Sequence, residues 1–247
     1  MGENLPGKFF GVGVGPGNPQ LVTIKASQVL MTVDVICAPK ASPEKSSRAL
    51  ETVRTIIKTL NKSQETIELV YPMVKDRKLM EGAVERNAEV IVSRLKEGKN
   101  VAFITLGDPM LYSTFINTYR KVVEKLPEVE VEIIPGVTSF SACAAASRMP
   151  IAEAEEAVVI IPTTSNLEGL EMLAQQADTI IFMKGVKDVE GLFRALTRSG
   201  FSENSQAAVA ANIGTPLEEV RIMKLHELKK MKGGSYFSTI IVRRESL

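Results

Sequence analysis

The chain has 247 residues, of which 30 are Lys or Arg and 29 are Asp or Glu, so its formal net charge is +1. This balance excludes the strongly basic surface of a general nucleic-acid-binding protein, and two cysteines are too few for a disulfide framework. A single histidine, His226, leaves at most one candidate for an imidazole base. The first residues lack the features of a secretory signal and no apolar run approaches the ~18 residues of a membrane span, so we expect a cytoplasmic protein without a membrane partner.

Apolar strand-like runs alternate with helical patterns through the first part of the chain, which predicts a parallel sheet covered by helices. The predicted strands there are Phe9–Val14, Val33–Ala38, Thr66–Val70, Val101–Leu106 and Val129–Ile134. The predicted helices are Leu21–Met31, Ser47–Leu60, Lys78–Glu97, Met110–Lys125 and a last one running from a hydroxyl cap at Thr138 or Ser139 toward Ala146.

The composition shifts at Arg148-Met149-Pro150, and the alternation then restarts. We therefore predict two domains, residues 1–145 and 146–247. The predicted strands of the second domain are Ala157–Ile161, Thr179–Met183, Gln206–Ala211, Glu219–Lys224 and Tyr236–Arg243. Its predicted helices are Leu167–Gln175 and Val189–Ser199, with a basic helical piece before the last strand.

Three glycine-bearing turns follow predicted strands, at Gly15-Pro16-Gly17, Gly107-Asp108-Pro109 and Pro135-Gly136. Ligands of open α/β sheets bind outside the carboxyl ends of the strands, and glycine lets the backbone approach a ligand closely. One such turn is ordinary loop chemistry, but three favour a shared ligand cleft. Two of these turns also predict helix starts, with Asn18 and Asp108 as N-caps before Pro19 and Pro109.

Two segments are similar to phosphate-binding motifs, but each lacks a residue that the motif requires. The glycine run that begins at Gly11 is not a dinucleotide fingerprint. Counted from Gly11, the third glycine position of the fingerprint holds Pro16, and counted from Gly13 it holds Asn18. The segment that ends in Gly7-Lys8 is similar to a P-loop, but Phe9 stands where Ser or Thr is needed. Asp108 is the acidic residue best placed in the expected cleft, and a plain helix cap is the alternative interpretation.

The segment from Phe10 to Thr23 resembles the N-terminal signature of the tetrapyrrole (corrin/porphyrin) methylase family. The later motifs Gly107-Asp108-Pro109, Pro135–Ser139 and Phe182-Met183-Lys184 follow in the family's order, so the resemblance covers nearly the whole chain. Tyr71-Pro72-Met73 and the segment Gly107–Thr114 are most similar to the C-20 methyltransferases of cobalamin synthesis, which act on precorrin-2 or cobalt-factor II.

The resemblance implies two α/β domains, the first with a mostly parallel sheet and the second with a mixed sheet, and S-adenosylmethionine in a cleft between them. It also implies a homodimer. No metal site is predicted, because the sequence contains no zinc-ligand spacing and Cys37 and Cys143 are isolated. The residues that match the family's cofactor contacts are Pro16, Gly107, Asp108, Leu111, Thr138, Ser139, Met183 and Gly214. Tyr71, Tyr112 and Lys40 are the candidates for substrate binding.

One departure concerns the substrate. Uroporphyrinogen methylases of the family carry an aspartate just after the second strand, where this chain has Cys37-Ala38-Pro39-Lys40. The resemblance therefore implies a different tetrapyrrole, and no acid or base residue is assigned.

We expect S-adenosylmethionine-dependent methylation at C-20 of cobalt-factor II or precorrin-2, with S-adenosylhomocysteine as the product. The alternatives are a family member acting at another macrocycle carbon and a non-catalytic nucleotide-binding α/β module.

Overall fold

The computed structural model describes residues 5–58, 64–72, 76–162, 169–231 and 238–244. The chain divides into two compact units, Met1–Thr138 and Ser139–Leu247. The division precedes the helix Ser139–Ser147, which packs on the second sheet, whereas the composition shift that gave the boundary after residue 145 lies beyond that helix.

The first unit is built on a five-stranded sheet in which every pairing is parallel, which confirms the predicted architecture. Its strand order is β3-β2-β4-β1-β5, so β4 is the middle strand. The strands are β1 (Phe9–Gly13), β2 (Val35–Lys40), β3 (Glu65–Val70), β4 (Val101–Thr105) and β5 (Val131–Ile134).

Helices cover both faces of this sheet. They are α1 (Ile24–Thr32), α2 (Arg48–Lys58), α3 (Arg77–Lys96) and α4 (Thr114–Lys125), and a 3-10 turn, Pro19–Leu21, precedes α1. One core layer contains Phe9, Phe103 and Phe115, and the other is aliphatic and contains Val12 and Ile104. β4 is buried along its whole length, as its mostly apolar sequence predicts.

Two predicted helix starts are wrong. Asn18 caps only the 3-10 turn, and α1 begins later with Thr23 as its N-cap. Asp108 does not cap α4, which begins at Thr114 with Ser113 as its N-cap. The backbone at Tyr112 has a φ of +49°, which a right-handed helix does not allow, so α4 cannot extend back to Met110.

The second unit contains a mixed sheet of order β6-β7-β10-β8-β9, as the family resemblance implies. β6 and β7 are parallel, and the other pairings are antiparallel. The strands are β6 (Val158–Pro162), β7 (Thr179–Met183), β8 (Gln206–Ala211), β9 (Glu219–Lys224) and β10 (Ser238–Arg243). The helices are α5 (Ser139–Ser147), α6 (Leu170–Gln175) and α7 (Val189–Arg198), with a 3-10 segment, Leu225–Lys230. The predicted element ends at Leu60, Leu167 and Tyr236 lie outside the described residues, as does Met73.

Candidate functional site

The turns that follow β1 and β4 are joined by backbone hydrogen bonds. The N–H of Gly107 donates to the carbonyl oxygen of Gly15 at 2.8 Å, and the N–H of Val14 donates to that of Thr105 at 2.9 Å. Gly15 and Gly107 form an isolated bridge just beyond the ends of the two strands. The structure thus places the first two glycine turns side by side at the carboxyl edge of the first sheet, where α/β proteins bind ligands.

The third turn packs against the other two through glycine backbones. A Cβ atom on Gly13 would lie 2.6 Å from both the Gly107 oxygen and the Gly136 nitrogen, and one on Gly136 would overlap the Gly107 oxygen. A side chain at Gly13 or Gly136 is therefore excluded by the neighbouring backbone. Gly107 differs, because its would-be Cβ has no atom of the other described residues within 4 Å, apart from those of its two chain neighbours. The Gly107 backbone thus borders open space beside three closely packed turns.

The carboxylate of Asp108 joins two of these turns by hydrogen bonds. Its Oδ2 accepts a hydrogen bond from the N–H of Gly136 at 3.0 Å, and its Oδ1 accepts one from the N–H of Met110 at 2.8 Å. The carboxylate therefore fixes the turn after β4 to the turn after β5, which is 28 residues away in the chain. The local sequence Asp108-Pro109 suggests only a helix N-cap and does not predict this contact with Gly136.

The remaining first-unit candidates for cofactor binding lie on these same turns. Pro16 is buried, while Leu111 and Thr138 are half-buried. Tyr112 and Met110 are exposed on the turn after β4. The three turns, residues 14–18, 106–113 and 135–138, contain no Lys or Arg, so their polar groups are backbone amides and carbonyls, hydroxyls, the Asn18 side-chain amide and the Asp108 carboxylate.

In the second unit, strand β10 brings two predicted cofactor residues together. Thr239 is paired with Met183 of β7 on one side and with Ala210 of β8 on the other. The hydroxyl of Thr239 donates a hydrogen bond to Oγ of Ser139, the first residue of α5, at 3.1 Å. Ser139 and Met183 therefore meet at one sheet edge through Thr239, a residue that the sequence analysis missed.

Gly214 belongs to the loop that leaves the same edge after β8. Its φ is +79°, and its N–H donates to Oε2 of Glu218 at 2.7 Å. Lys184 and Asn212, which follow β7 and β8, also have positive φ values, of +67° and +50°. Left-handed residues at the ends of two strands mark this edge as locally strained, a property that is common at ligand sites.

Tyr71 and Lys40, two of the substrate candidates, are held by contacts within the first unit. Tyr71 is only 3% exposed, its hydroxyl lies 2.7 Å from Oγ1 of Thr118, and burial raises the pKa of that hydroxyl above its usual range. Lys40 donates from Nζ to the Pro43 carbonyl oxygen at 3.1 Å and to Oε2 of Glu68 at 3.2 Å. These contacts account for both side chains without a ligand.

The two cysteines and the single histidine have structural surroundings. Cys37 and Cys143 are buried, and burial raises the pKa of each thiol to about 12, so neither is a thiolate at neutral pH. His226 lies in the 3-10 segment of the second unit with Nδ1 3.0 Å from the Glu203 carbonyl oxygen. Over the described ranges, no cluster of three His, Cys, Asp or Glu side chains could hold a metal ion.

A shallow cavity of about 780 Å³ lies elsewhere in the second unit, beside β8, β9 and the 3-10 segment. It is lined by Val209, Ala211, Glu219, Arg221, Ile222, Met223, Glu227, Lys230 and Met231. None of the candidate site residues is among these, so the cavity is not assigned to the site. In the part of the chain that the structure describes, no helix is both long and apolar enough to cross a membrane.

The chemistry of these turns fits a ligand that carries no phosphate. Backbone groups and hydroxyls can bind an adenosine and an amino-acid moiety, whereas a phosphate is normally held by a cradle of N–H groups with a basic side chain. The open space beside Gly107 is where such a ligand could approach the backbone of the first unit. S-adenosylmethionine meets these requirements.

Comparisons with known proteins agree with this geometry. Residues 8–229 match the family model for tetrapyrrole (corrin/porphyrin) methylases. The chain is 32% identical to a cobalt-precorrin-2 C(20)-methyltransferase of Salmonella typhimurium and 36% identical to a probable cobalt-precorrin-2 C(20)-methyltransferase of Methanocaldococcus jannaschii. Each match covers 98% of this chain and 98% of the relative.

A solved structure shares the fold. The uroporphyrin-III C-methyl transferase of Thermus thermophilus, complexed with S-adenyl homocysteine, superposes with a TM-score of 0.69 at 19% identity. The match covers 96% of this chain and 92% of that one.

Proposed function

Because this chain belongs to the tetrapyrrole (corrin/porphyrin) methylase family, we propose that it methylates C-20 of a dimethylated tetrapyrrole, cobalt-factor II or precorrin-2, in cobalamin biosynthesis. S-adenosylmethionine is the methyl donor. The observation that carries this proposal is the full-length similarity to two proteins named as cobalt-precorrin-2 C(20)-methyltransferases. Both of these relatives are named for action at C(20), which favours the same reaction over that of a family member that acts at another carbon.

We assign the donor to the turns described above. In the first unit the assigned residues are Pro16, Gly107, Asp108, Leu111 and Thr138, and in the second they are Ser139, Met183 and Gly214. Two hydrogen bonds support this assignment. Asp108 holds its own turn, which contains Gly107 and Leu111, against the turn at Gly136, and Thr239 fixes the hydroxyl of Ser139. Gly107 is a position at which a ligand can approach the backbone closely.

The residues of this chain have mainly to bind and orient the reactants. When bound, S-adenosylmethionine supplies a methyl group that its sulfonium already activates, and the electron-rich C-20 carbon is the nucleophile. The protein therefore needs to align the two and exclude water, which is catalysis by proximity and orientation. The protonated thiols of Cys37 and Cys143 agree with this scheme, since no covalent intermediate on the enzyme is required.

Among the substrate candidates, Tyr112 is the one on the exposed turn beside Gly107. Lys40 would have to exchange its bond to Glu68 for a substrate carboxylate. Tyr71, whose contacts are those of a core residue, has no substrate role in the proposal.

The test is a methyl-transfer assay with labelled S-adenosylmethionine on cobalt-factor II and on precorrin-2 in parallel. Transfer to either macrocycle supports the proposal, and the faster substrate shows whether cobalt is already present. Transfer to neither, with S-adenosylhomocysteine binding intact in calorimetry, would overturn the substrate assignment while leaving the cofactor assignment in place.

The protein is also proposed to be a cytoplasmic homodimer, as the family resemblance implies. Light scattering at micromolar concentration distinguishes a dimer from a 26.9 kDa monomer, and cell fractionation tests the compartment.

A further inference from the structure

Two large apolar side chains stand exposed on the turn between β4 and α4. Met110 is 51% exposed and Tyr112 is 38% exposed. They lie beyond the carboxyl end of the middle strand of the first sheet, next to Gly107 and Asp108. Single exposed apolar residues are common on protein surfaces, but these two occur at the edge where this fold binds ligands.

The backbone of Tyr112 is held in an unfavourable conformation. Its φ is +49°, in the left-handed region that a large aromatic residue rarely adopts. Residues in such conformations persist only where the surrounding structure imposes them, and they cluster at functional sites. A glycine would adopt this conformation without strain, so a ring at this position calls for an explanation.

The chain on both sides of Tyr112 is fixed. Before it, the N–H of Met110 is bonded to Oδ1 of Asp108 at 2.8 Å. After it, the side chain of Ser113 accepts a hydrogen bond from the N–H of Phe115 at 3.1 Å and lies 3.1 Å from Oγ1 of Thr105. The turn therefore presents Met110 and Tyr112 in a defined place.

We propose that Met110 and Tyr112 form an apolar platform against which the flat face of the tetrapyrrole macrocycle packs. This inference rests on the proposed function and deepens it, because it names the residues that recognise the ring system. An aromatic side chain packs on a conjugated ring by offset stacking, and the thioether of methionine makes favourable contacts with aromatic faces. The platform binds the substrate, and the neighbouring glycine backbones bind the cofactor.

The decisive variant is Tyr112→Gly, because it removes the ring and also suits the backbone conformation. Tyr112→Phe keeps the ring and loses only the hydroxyl. Arg148→Gly is the matched control, since Arg148 is another exposed residue with a positive φ, +54°, and lies in the second unit. Each variant is measured for thermal midpoint, S-adenosylhomocysteine affinity by calorimetry, and tetrapyrrole affinity from the absorbance change on binding.

The platform predicts a separation of these readouts. Tyr112→Gly should keep or raise the thermal midpoint, change S-adenosylhomocysteine affinity by less than about twofold, and weaken tetrapyrrole binding by about tenfold or more, since stacking contacts are of that order. Tyr112→Phe should restore most of the tetrapyrrole affinity. Arg148→Gly should leave both affinities unchanged.

Three results would overturn the platform. They are unchanged tetrapyrrole affinity in Tyr112→Gly, equal losses of cofactor and tetrapyrrole affinity, or dissociation of an oligomer by Tyr112→Gly, which would show that a second copy of the chain covers this surface. Binding is read without methyl transfer, so a wild-type protein that binds the macrocycle but methylates another carbon would contradict the proposed function and leave the platform standing.

Discussion

Asp108 accepts a hydrogen bond through Oδ2 from the backbone N–H of Gly136 at 3.0 Å, and thereby joins the turns that follow β4 and β5. Its other carboxylate oxygen accepts from the N–H of Met110. The geometry makes Asp108 a residue that holds the glycine turns in place, and its effect on cofactor binding follows from that role.

Replacing Asp108 by Ala should therefore weaken cofactor binding in addition to destabilising the fold. We expect a loss of about 1–2 kcal/mol in the free energy of unfolding, as for hydrogen bonds to a charged group. The dissociation constant for S-adenosylhomocysteine should rise by about tenfold or more, because the Gly136 turn loses its anchor. Denaturant unfolding and calorimetry measure the two quantities.

Asp34→Ala is the matched control for Asp108→Ala. Asp34 also accepts a hydrogen bond from a distant backbone N–H, that of Asn100 at 2.9 Å, but it does so before β2 and β4 begin, at the opposite edge of the sheet. The Asp34→Ala variant should have a lower free energy of unfolding and an unchanged affinity for S-adenosylhomocysteine. Equal S-adenosylhomocysteine affinity in wild type and Asp108→Ala would show that Asp108 has only a structural role.

A methyl group at Gly107 tests whether the open space beside it holds the cofactor. Gly107→Ala meets no protein atom within 4 Å, so its folding penalty should be that of an alanine at φ +69°, about 1–2 kcal/mol. Gly169→Ala provides the control, because Gly169 has a φ of +77° and equally open surroundings. Both variants should lose similar stability in thermal unfolding, and only Gly107→Ala should lose S-adenosylhomocysteine binding in calorimetry. Wild-type affinity in Gly107→Ala would place the cofactor elsewhere.

The hydrogen bond between Thr239 and Ser139 tests the second-unit part of the site. Thr239→Val keeps the shape of the side chain and removes its hydroxyl, so Ser139 loses the donor at 3.1 Å. S-adenosylhomocysteine affinity should fall by roughly fivefold, the value of one net hydrogen bond of about 1 kcal/mol.

Thr179→Val in β7 is the matched control for Thr239→Val. Its buried Oγ1 has no hydrogen-bond partner, so removal of the hydroxyl should leave affinity unchanged and stability equal or higher. Unchanged affinity in Thr239→Val would remove Thr239 from the site.

The acid stability of the second unit should depend on Glu156. Hydrogen bonds from the buried Arg243 guanidinium, at 2.8 and 2.9 Å, hold the pKa of the Glu156 carboxyl below its usual value of 4.5. A carboxyl with a lowered folded-state pKa stabilises the fold above about pH 4.5 and loses that contribution as the pH falls through its folded value. Glu156→Gln should therefore flatten the acid side of the stability profile in urea unfolding. The control Glu155→Gln, at an exposed neighbouring position, should leave the acid side of the stability profile as in wild type. Identical acid profiles for wild type and Glu156→Gln would contradict this.

The sequence was sufficient for the features that depend on periodicity and on general rules of βα units. The run Val101–Leu106 predicts a buried strand, and β4 is buried along its length. The glycine turns after β1, β4 and β5 meet because carboxyl ends of parallel strands share an edge.

Other features depend on contacts between distant residues. The Asp108-Pro109 pair suits a helix cap, and only the position of Gly136 decides that the carboxylate holds another turn. The insertion of β10 between β7 and β8 places Thr239 beside Ser139, and nothing in the local pattern of β10 indicates that order. The burial of Tyr71 likewise follows from its contact with Thr118 on α4.

The position of the transferred carbon tests the central claim most directly. The protein is incubated with S-adenosylmethionine that carries a ¹³C-labelled methyl group and with the tetrapyrrole substrate, and the product is examined by NMR. The account predicts one new ¹³C-methyl group bonded to C-20 of the macrocycle. A labelled methyl group on any other carbon, or a macrocycle recovered without label, would contradict it.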